Sequence, residues 1–446
     1  MKTILIIDDE ASCRRPAAEL LRRDGWTVLE AEDGESGLEL ARQRRPDVIL
    51  CDLLMPRSNG FQLIRAVRAQ SDLRTTKIVV MSGRGFAADR ESATEAGADG
   101  YLVKPIEFAK LREELARMNM IGPPAPGVRT EPAREPVAEP AATVSTDRAT
   151  KVKFWGVRGS IPTPGPGTVF FGGNTSCVEL RVDGELIILD AGSGIRPLGQ
   201  ALAAEFGDRP IDINLLLTHT HWDHIQGFPF FLPAYQARNR VRIVGYSGER
   251  GNLASTLAAQ MESPYFPVAM RQMQGEIVFE EQKDMSFQLG AVRVDACYSN
   301  HPGICVGYRI HSSSGSVVYL PDNESFIQQS ETPHGDSLPG TLEEDLMKFI
   351  ANADVLITDA QYGADEYKRH VGWGHGCLDD VVRFAIAGGV KRLYLFHHDP
   401  EHDDRTVSGM LMHARELALA AGSSIRIEAA REGEQFTLTP RPVGAM

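Results

Sequence analysis

The stretch from Gly122 to Thr150, GPPAPGVRTEPAREPVAEPAATVSTDRAT, limits what the rest of the chain can build. It holds six prolines, few large apolar residues and no period of two or 3.6, so it reads as a semi-extended linker with no core of its own. A chain of 446 residues is already long for a single hydrophobic core. The prediction is therefore two folded parts, residues 1–120 and 151–446, separated by a Pro-rich linker over 121–150.

In the first part, five β-branched or aliphatic runs (Thr3 to Ile7, Thr27 to Glu30, Val48 to Cys51, Ile78 to Met81, Gly100 to Val103) alternate with amphipathic helical stretches. That alternation predicts an α/β domain, a doubly wound parallel sheet of five strands with helices on both faces. Functional groups of such a sheet gather at the carboxyl ends of its strands. Those ends carry Asp8 and Asp9, Asp52, Ser82 and Lys104 in turn. A lone aspartate would be an ordinary solvated loop acid. Three crowded carboxylates repel, and a divalent cation with the lysine would keep them ionised. The pieces IIDDE, CDLLMP with its Pro56, VVMSG and GYLVKP resemble the receiver domain of two-component response regulators over residues 1–120. The resemblance implies a flavodoxin-like fold with Asp52 as phosphoacceptor. It also implies Mg²⁺ held by Asp9, Asp52 and the Leu54 carbonyl with Asp8 assisting, Ser82 and Lys104 on the phosphate, and Tyr101 as a switch aromatic. A cognate sensor histidine kinase and a homodimer through the receiver are the partners it suggests.

The second part opens on the Gly-rich FWGVRGSIPTPGPGTVFFGGNTSC and continues through strand-like runs and helical stretches near Ile195 to Phe206, Thr341 to Ala351, Leu378 to Gly388 and Arg405 to Ala421. This mixture predicts a two-sheet core with outer helices. Its densest chemical signal is Leu217-Thr218-His219-Thr220-His221-Trp222-Asp223-His224, three histidines and a carboxylate just after an apolar run. One histidine there would be a polar loop residue; four donors so close are first-choice ligands for Zn²⁺ and similar ions. His301 in YSNHPG, Asp322 in YLPDNE and His397 in LYLFHHDP complete seven candidate ligands, enough for two metals with one shared.

The H-x-H-x-D-H pattern and its distant partners resemble the metallo-β-lactamase superfamily over roughly residues 151–440. The resemblance implies an αββα sandwich, one metal on His219, His221 and His301, a second on Asp223, His224 and His397, and Asp322 bridging, with Asp223 also among the catalytic residues. Zinc is the favoured metal, with manganese or iron as alternatives. In the superfamily's flavodiiron oxidoreductases the second ligand is Glu; His221 in its place argues against O₂ or NO reduction. His398 is expected to serve the substrate edge or to support the ligands, Asp190 to support the fold, and Asn174 with nearby amides to line a phosphate pocket or merely a tight turn.

Three further segments resemble ribonuclease Z and its phosphodiesterase relatives: His301-Pro302-Gly303 through Gly307-Tyr308-Arg309, Ala353 to Ala360, and His375-Gly376-Cys377-Leu378. They imply that His375 helps a leaving group depart and Asp359 orients it. Net charge is −13, and from Lys151 onward 25 basic face 36 acidic residues, which lacks the footprint of a nucleic-acid binder. A small phosphodiester, such as a cyclic nucleotide or other cyclic phosphate, is therefore the expected substrate of a metal-dependent hydrolase. The alternatives are a lactone, lactam or thioester hydrolase, and a non-catalytic signalling module. MKTILIIDDE does not fit a secretory signal, no apolar run is long enough for a membrane span, and six cysteines without a C-x-x-C pair suggest no disulfide framework. A cytoplasmic location is the corresponding expectation.

Overall fold

Short aliphatic runs become parallel strands in the first part of the chain. A computed structural model describes residues 2–55, 59–104, 106, 108–118, 120, 149–248, 252–263, 265–326 and 342–439. Pro56 and the linker expectation, apart from Ala149 and Thr150, lie outside the described residues. The described residues divide into two compact units, built mainly on residues 2–118 and 149–439.

The first unit runs β1 (Thr3–Ile7), α1 (Ala11–Arg23), β2 (Thr27–Ala31), α2 (Gly34–Arg44), β3 (Val48–Asp52), α3 (Gly60–Arg68), β4 (Lys77–Ser82), α4 (Ala87–Ala96), β5 (Gly100–Val103) and α5 (Phe108–Arg117). Its strands lie in the order β2-β1-β3-β4-β5, every pair parallel. Both faces of β3 are covered, which is why VILCD is apolar up to its last residue. Ile4, Ile6, Val48, Leu50 and Val79 pack with Ala18 and Leu21 of α1 and Leu111 and Leu115 of α5. Asp33 and Asn59 accept from Ser36 N and Gln62 N, capping α2 and α3. The strand order reverses between β1 and β3, so Asp8, Asp9 and Asp52 emerge side by side.

The second unit begins with β6 (Thr150–Gly156), β7 (Cys177–Val182), β8 (Glu185–Leu189), β9 (Asp212–Leu216), β10 (Arg240–Gly245) and β11 (Glu276–Glu281). A second set follows: β12 (Ser286–Leu289), β13 (Val292–Tyr298), β14 (Val306–Ser312), β15 (Gly315–Leu320), β16 (Val355–Asp359), β17 (Arg392–Phe396) and β18 (Arg426–Ala429). The last strand, β19 (Gln435–Leu438), returns to pair antiparallel with β6. Two seven-stranded sheets result, ordered β11-β10-β9-β8-β7-β6-β19 and β12-β13-β14-β15-β16-β17-β18. Each is antiparallel in one half and parallel in the other.

The two sheets meet through aromatic side chains. Phe154 of β6 lies 5.1 Å from Tyr394 and 6.2 Å from Phe396 of β17, and Phe436 of β19 stacks on Tyr394 at 4.8 Å. Outside the first sheet, α6 (Ile195–Phe206) covers Ile188, Ile213 and Leu215 with Leu198 and Leu202. Outside the second, α7 (Leu342–Ile350), α8 (Leu378–Ala387) and α9 (Asp404–Ala420) cover Val318, Leu356, Leu393 and Ile427. The expected doubly wound parallel sheet and two-sheet core with outer helices are both present. No helix among the described residues is long and apolar enough to cross a membrane.

Candidate functional sites

Crowding of carboxylates defines the site of the first unit. Donor oxygens of Asp8, Asp9 and Asp52 lie within 4.8 Å of one another. Lys104 Nζ approaches Asp52 Oδ2 at 2.6 Å and Asp8 Oδ2 at 2.9 Å. Burial and the Asp52 charge lift Asp8 to about 6 and Asp9 to about 7, the cost of packing like charges together. Burial alone would lower Lys104, but Asp52 and Asp8 hold it well above its ordinary value. Leu54 N donates to Asp52 Oδ1 at 3.2 Å, and the Ser82 carbonyl accepts from Lys104 N at 2.6 Å at the ends of β4 and β5. Ser82 is buried and Tyr101 half-buried on β5. A divalent cation fits this oxygen-only donor set.

In the second unit the seven ligand candidates converge from four strand ends. His219, His221, Asp223 and His224 follow β9, His301 follows β13, Asp322 follows β15 and His397 follows β17. Ligand atoms of His219, His221, His301 and Asp322 form one group within 4.8 Å, and those of Asp223, His224 and His397 another. Asp322 faces both. Its Oδ2 lies 3.5 Å from Nε2 of His219 and of His301, and its Oδ1 lies 3.4 Å from His224 Nε2 and 3.2 Å from His397 Nε2. His301 Nε2 is 3.0 Å from His221 Nδ1, and Asp223 Oδ2 is 3.2 Å from His397 Nε2.

Three inward atoms, His219 Nε2, His224 Nε2 and Asp322 Oδ1, are buried without a hydrogen-bond partner. Such orphans are costly unless something else satisfies them, and a cation in each group would do so. Burial and neighbouring imidazoles hold His219 and His301 well below the ordinary histidine range, in the neutral form that ligates. Burial would lower His224 too, yet Asp322, Asp223 and Asp190 raise it well above that range. The donor set is nitrogen and oxygen only, which suits zinc, manganese or iron.

Outer contacts fix which nitrogen of each ring faces inward. His224 Nδ1 meets Asp190 Oδ2 at 2.8 Å, His301 Nδ1 meets the Gly374 carbonyl at 2.8 Å, and His397 Nδ1 meets Gln361 Oε1 at 3.1 Å. Asp190 also accepts from Thr218 N, Thr218 Oγ1 and the Tyr319 hydroxyl. Asp223 Oδ2 accepts from Ser160 N at 2.8 Å. Asp190 and His397 both sit at positive φ, 61° and 56°, where non-glycine residues are uncommon.

Beside the two groups stands His375, its ring 5.3 Å from His301 and 5.0 Å from His397. Its Nδ1 bonds Asp359 Oδ2 at 2.8 Å, and Asp359 Oδ1 accepts from Gln361 N. Burial would lower this histidine, but Asp359 raises it to about 9. Asp322, Asp359, His375 and His397 also bring donors within 4.8 Å. In that group one oxygen of Asp359 is already engaged by His375 and the other by Gln361 N.

Two residues with alternative expectations have structural contacts. His398 Nε2 meets the Ala430 carbonyl at 2.9 Å, and burial holds the ring down to about 3. Asn174 bonds Glu432 and Ser193, contacts that suit the tight-turn alternative. Sequence reasoning missed Gln361, Glu324, Tyr319 and Ser160. Gln361 offered a signal, a polar residue directly after the buried run ending at Asp359-Ala360. Tyr319 offered none, being one more aromatic in an apolar strand.

Residues 4–116 match the family model for the response regulator receiver domain. Residues 186–398 match the model for the beta-lactamase superfamily domain. The chemotaxis protein CheY4 of Vibrio cholerae is 34% identical over a match covering 26% of this chain and 98% of that one, with a TM-score of 0.26. The chain joins a response regulator receiver domain to a beta-lactamase superfamily domain. The receiver is also 38% identical over 120 residues to a probable transcriptional regulator, ycf27, of Guillardia theta, covering 26% of this chain and 46% of that protein. The chain spans about half the length of the curated relatives it matches. For the beta-lactamase superfamily domain, the metallo-beta-lactamase fold protein YhfI of Bacillus subtilis is 19% identical, covering 65% of this chain and 100% of that one, with a TM-score of 0.47.

Proposed function

We propose that this chain is a two-component response regulator whose output is a dinuclear-metal phosphodiesterase acting on a small phosphodiester of the cyclic-nucleotide kind. The observation that carries the reading is Asp322 turning one oxygen to each of two ligand groups, with the His375–Asp359 pair beside them. His219, His221 and His301 would hold one ion, Asp223, His224 and His397 the other, and Asp322 both. Two ions held there would polarise the ester and lower the pKa of a water between them.

The rest of the chemistry belongs to the chain. Asp190, Gly374 and Gln361 keep imidazole nitrogens aimed inward without further reorganisation. As the phosphorus–oxygen bond to the leaving group breaks, His375 gives the proton on Nε2 to that oxygen. The neutral imidazole left behind stays oriented by Asp359 through Nδ1. In the receiver, Asp52 takes a phosphoryl group from a sensor histidine kinase; Asp9, Asp52 and the Leu54 carbonyl would hold Mg²⁺, with Asp8 assisting, and the ion would offset charge on the phosphoryl oxygens. Ser82 and Lys104 then contact the phosphate, and Tyr101 responds. A cytoplasmic setting suits a kinase partner and free cysteines.

The test is a substrate panel on protein reconstituted with Zn²⁺ or Mn²⁺: bis-p-nitrophenyl phosphate, cyclic nucleotides, nitrocefin, a lactone and a thioester. Diester turnover that disappears with the metals is expected. Turnover of the lactam, lactone or thioester with none of the diesters would overturn the phosphodiesterase assignment.

A further inference from the structure

The loop through Trp373 has a construction that proton donation and metal holding leave unexplained. Glu324 follows Asp322 by two residues and is 3% exposed. Its carboxylate accepts from Gly372 N at 2.6 Å, Gly374 N at 2.7 Å and the Tyr367 hydroxyl at 2.9 Å. Trp373 N donates to the His370 carbonyl at 3.1 Å. The His370 ring meets the indole edge-on at 4.8 Å and itself stacks flat on Tyr362 at 4.2 Å. Both residues flanking Trp373 are thus clamped to a buried acid, and its ring is braced from one side.

Yet the indole is 60% exposed. Folding alone favours burying so large an apolar group, and an exposed aromatic on a fixed backbone is the form a binding surface takes. Gly372, at φ 85°, takes a backbone conformation that side chains rarely adopt, which sets the turn leading into Trp373. The next residue along, Gly374, presents the carbonyl that holds His301, and the one after it is His375. Gly374 itself admits no side chain, because a Cβ there would meet Pro302 and the His301 ring at 2.4 and 2.5 Å. The loop therefore carries Trp373 two residues before His375, on a backbone clamped on both sides and tied through Gly374 to His301.

We infer that Trp373 is a stacking face for a planar group of the substrate, which narrows the substrate class to phosphodiesters bearing a nucleobase or comparable aromatic ring. The inference rests on the phosphodiesterase reading. Stacking on an aromatic face accepts any base, and losing it corresponds to about a five- to 150-fold weakening.

The experiment compares full-length, metal-reconstituted protein with Trp373→Leu and Trp373→Phe, on two diesters sharing one leaving group: thymidine 5′-(p-nitrophenyl phosphate) and methyl p-nitrophenyl phosphate. Trp373→Leu is expected to raise KM about five- to 150-fold for the nucleoside diester with kcat preserved, and to leave the methyl diester unchanged. Trp373→Phe restores most of the KM. Equal effects on both diesters, or none on either, overturn the inference. A second arm needs no turnover: titration calorimetry with adenosine 5′-monophosphate against ribose 5-phosphate. Binding of the nucleotide alone, weakened in Trp373→Leu and regained in Trp373→Phe, supports the stacking face even if neither diester is cleaved. Equal binding of the two probes, binding of neither, or nucleotide binding insensitive to Trp373, removes it.

Discussion

His375 and Asp359 allow proton donation to be separated from metal holding, because the imidazole is bonded to the acid and neighbours both ligand groups. His375→Ala is expected to keep both metals and to slow cleavage of poor leaving groups by about 10²- to 10⁴-fold, sparing activated nitrophenyl esters. Equal loss on both would reduce the residue to a structural part. Asp190 gives the converse prediction. It bonds His224 Nδ1, so Asp190→Asn should weaken metal affinity by about 10- to 100-fold, measured by competition with a chromophoric chelator. Unchanged affinity would mean that Thr218 and Tyr319, not His224, are what Asp190 serves. At this scale the sequence was unevenly legible. The convergence of the run after β9 with His301, Asp322 and His397 could be read because three imidazoles and a carboxylate crowd into six residues, a donor set that suits a cation. Glu324 could not, because its partners at Gly372 and Gly374 are remote in sequence and their signal is backbone amides.

Among elements, the turn after β6 shows how tightly the cluster is enclosed. A Cβ on Gly159 would stand 2.4 Å from the His397 ring, and Ser160 N bonds Asp223. Gly159→Ala should therefore cost about 1–3 kcal/mol of stability, seen in denaturant unfolding, and should release the ion of the His397 group first. A variant as stable as the parent with both metals in place would show that the turn can move aside. The strands and outer helices were legible because their apolar residues follow the periods of two and 3.6. The Gly-rich opening was not: its glycines announced turns, but not that one of them abuts a ligand. Neither did any pattern announce the positive φ at Asp190 and His397, about 1–3 kcal/mol of local strain each, which surrounding contacts must hold.

For the molecule as a whole, the ligands come from both sheets of the second unit, so ions bound there would fasten one sheet to the other. Chelation is expected to lower the calorimetric transition of that unit by on the order of 10 °C, about 4 kcal/mol for metals at 1,000 times their dissociation constants. The receiver transition should stay in place. A single unshifted profile would mean that the sheets need no metal to stay together. Regulation is tested on the intact chain: beryllofluoride with Mg²⁺ should change turnover or self-association by about five- to 150-fold, and Asp52→Asn should abolish the response. No change in turnover or sedimentation would leave the receiver serving an external partner. The proline-rich stretch behind the two-part expectation lies outside the described residues, and the return of β19 to β6 was not legible, since nothing in QFTL names a partner so far upstream. That pairing sets an order in time. The receiver sheet is complete once its fifth strand has been made, but the edge of β6 stays open until Gln435–Leu438 leave the ribosome. During synthesis, then, a receiver able to accept phosphate would precede any working output, and an exposed strand edge would wait in between for chaperones or for neighbouring nascent chains.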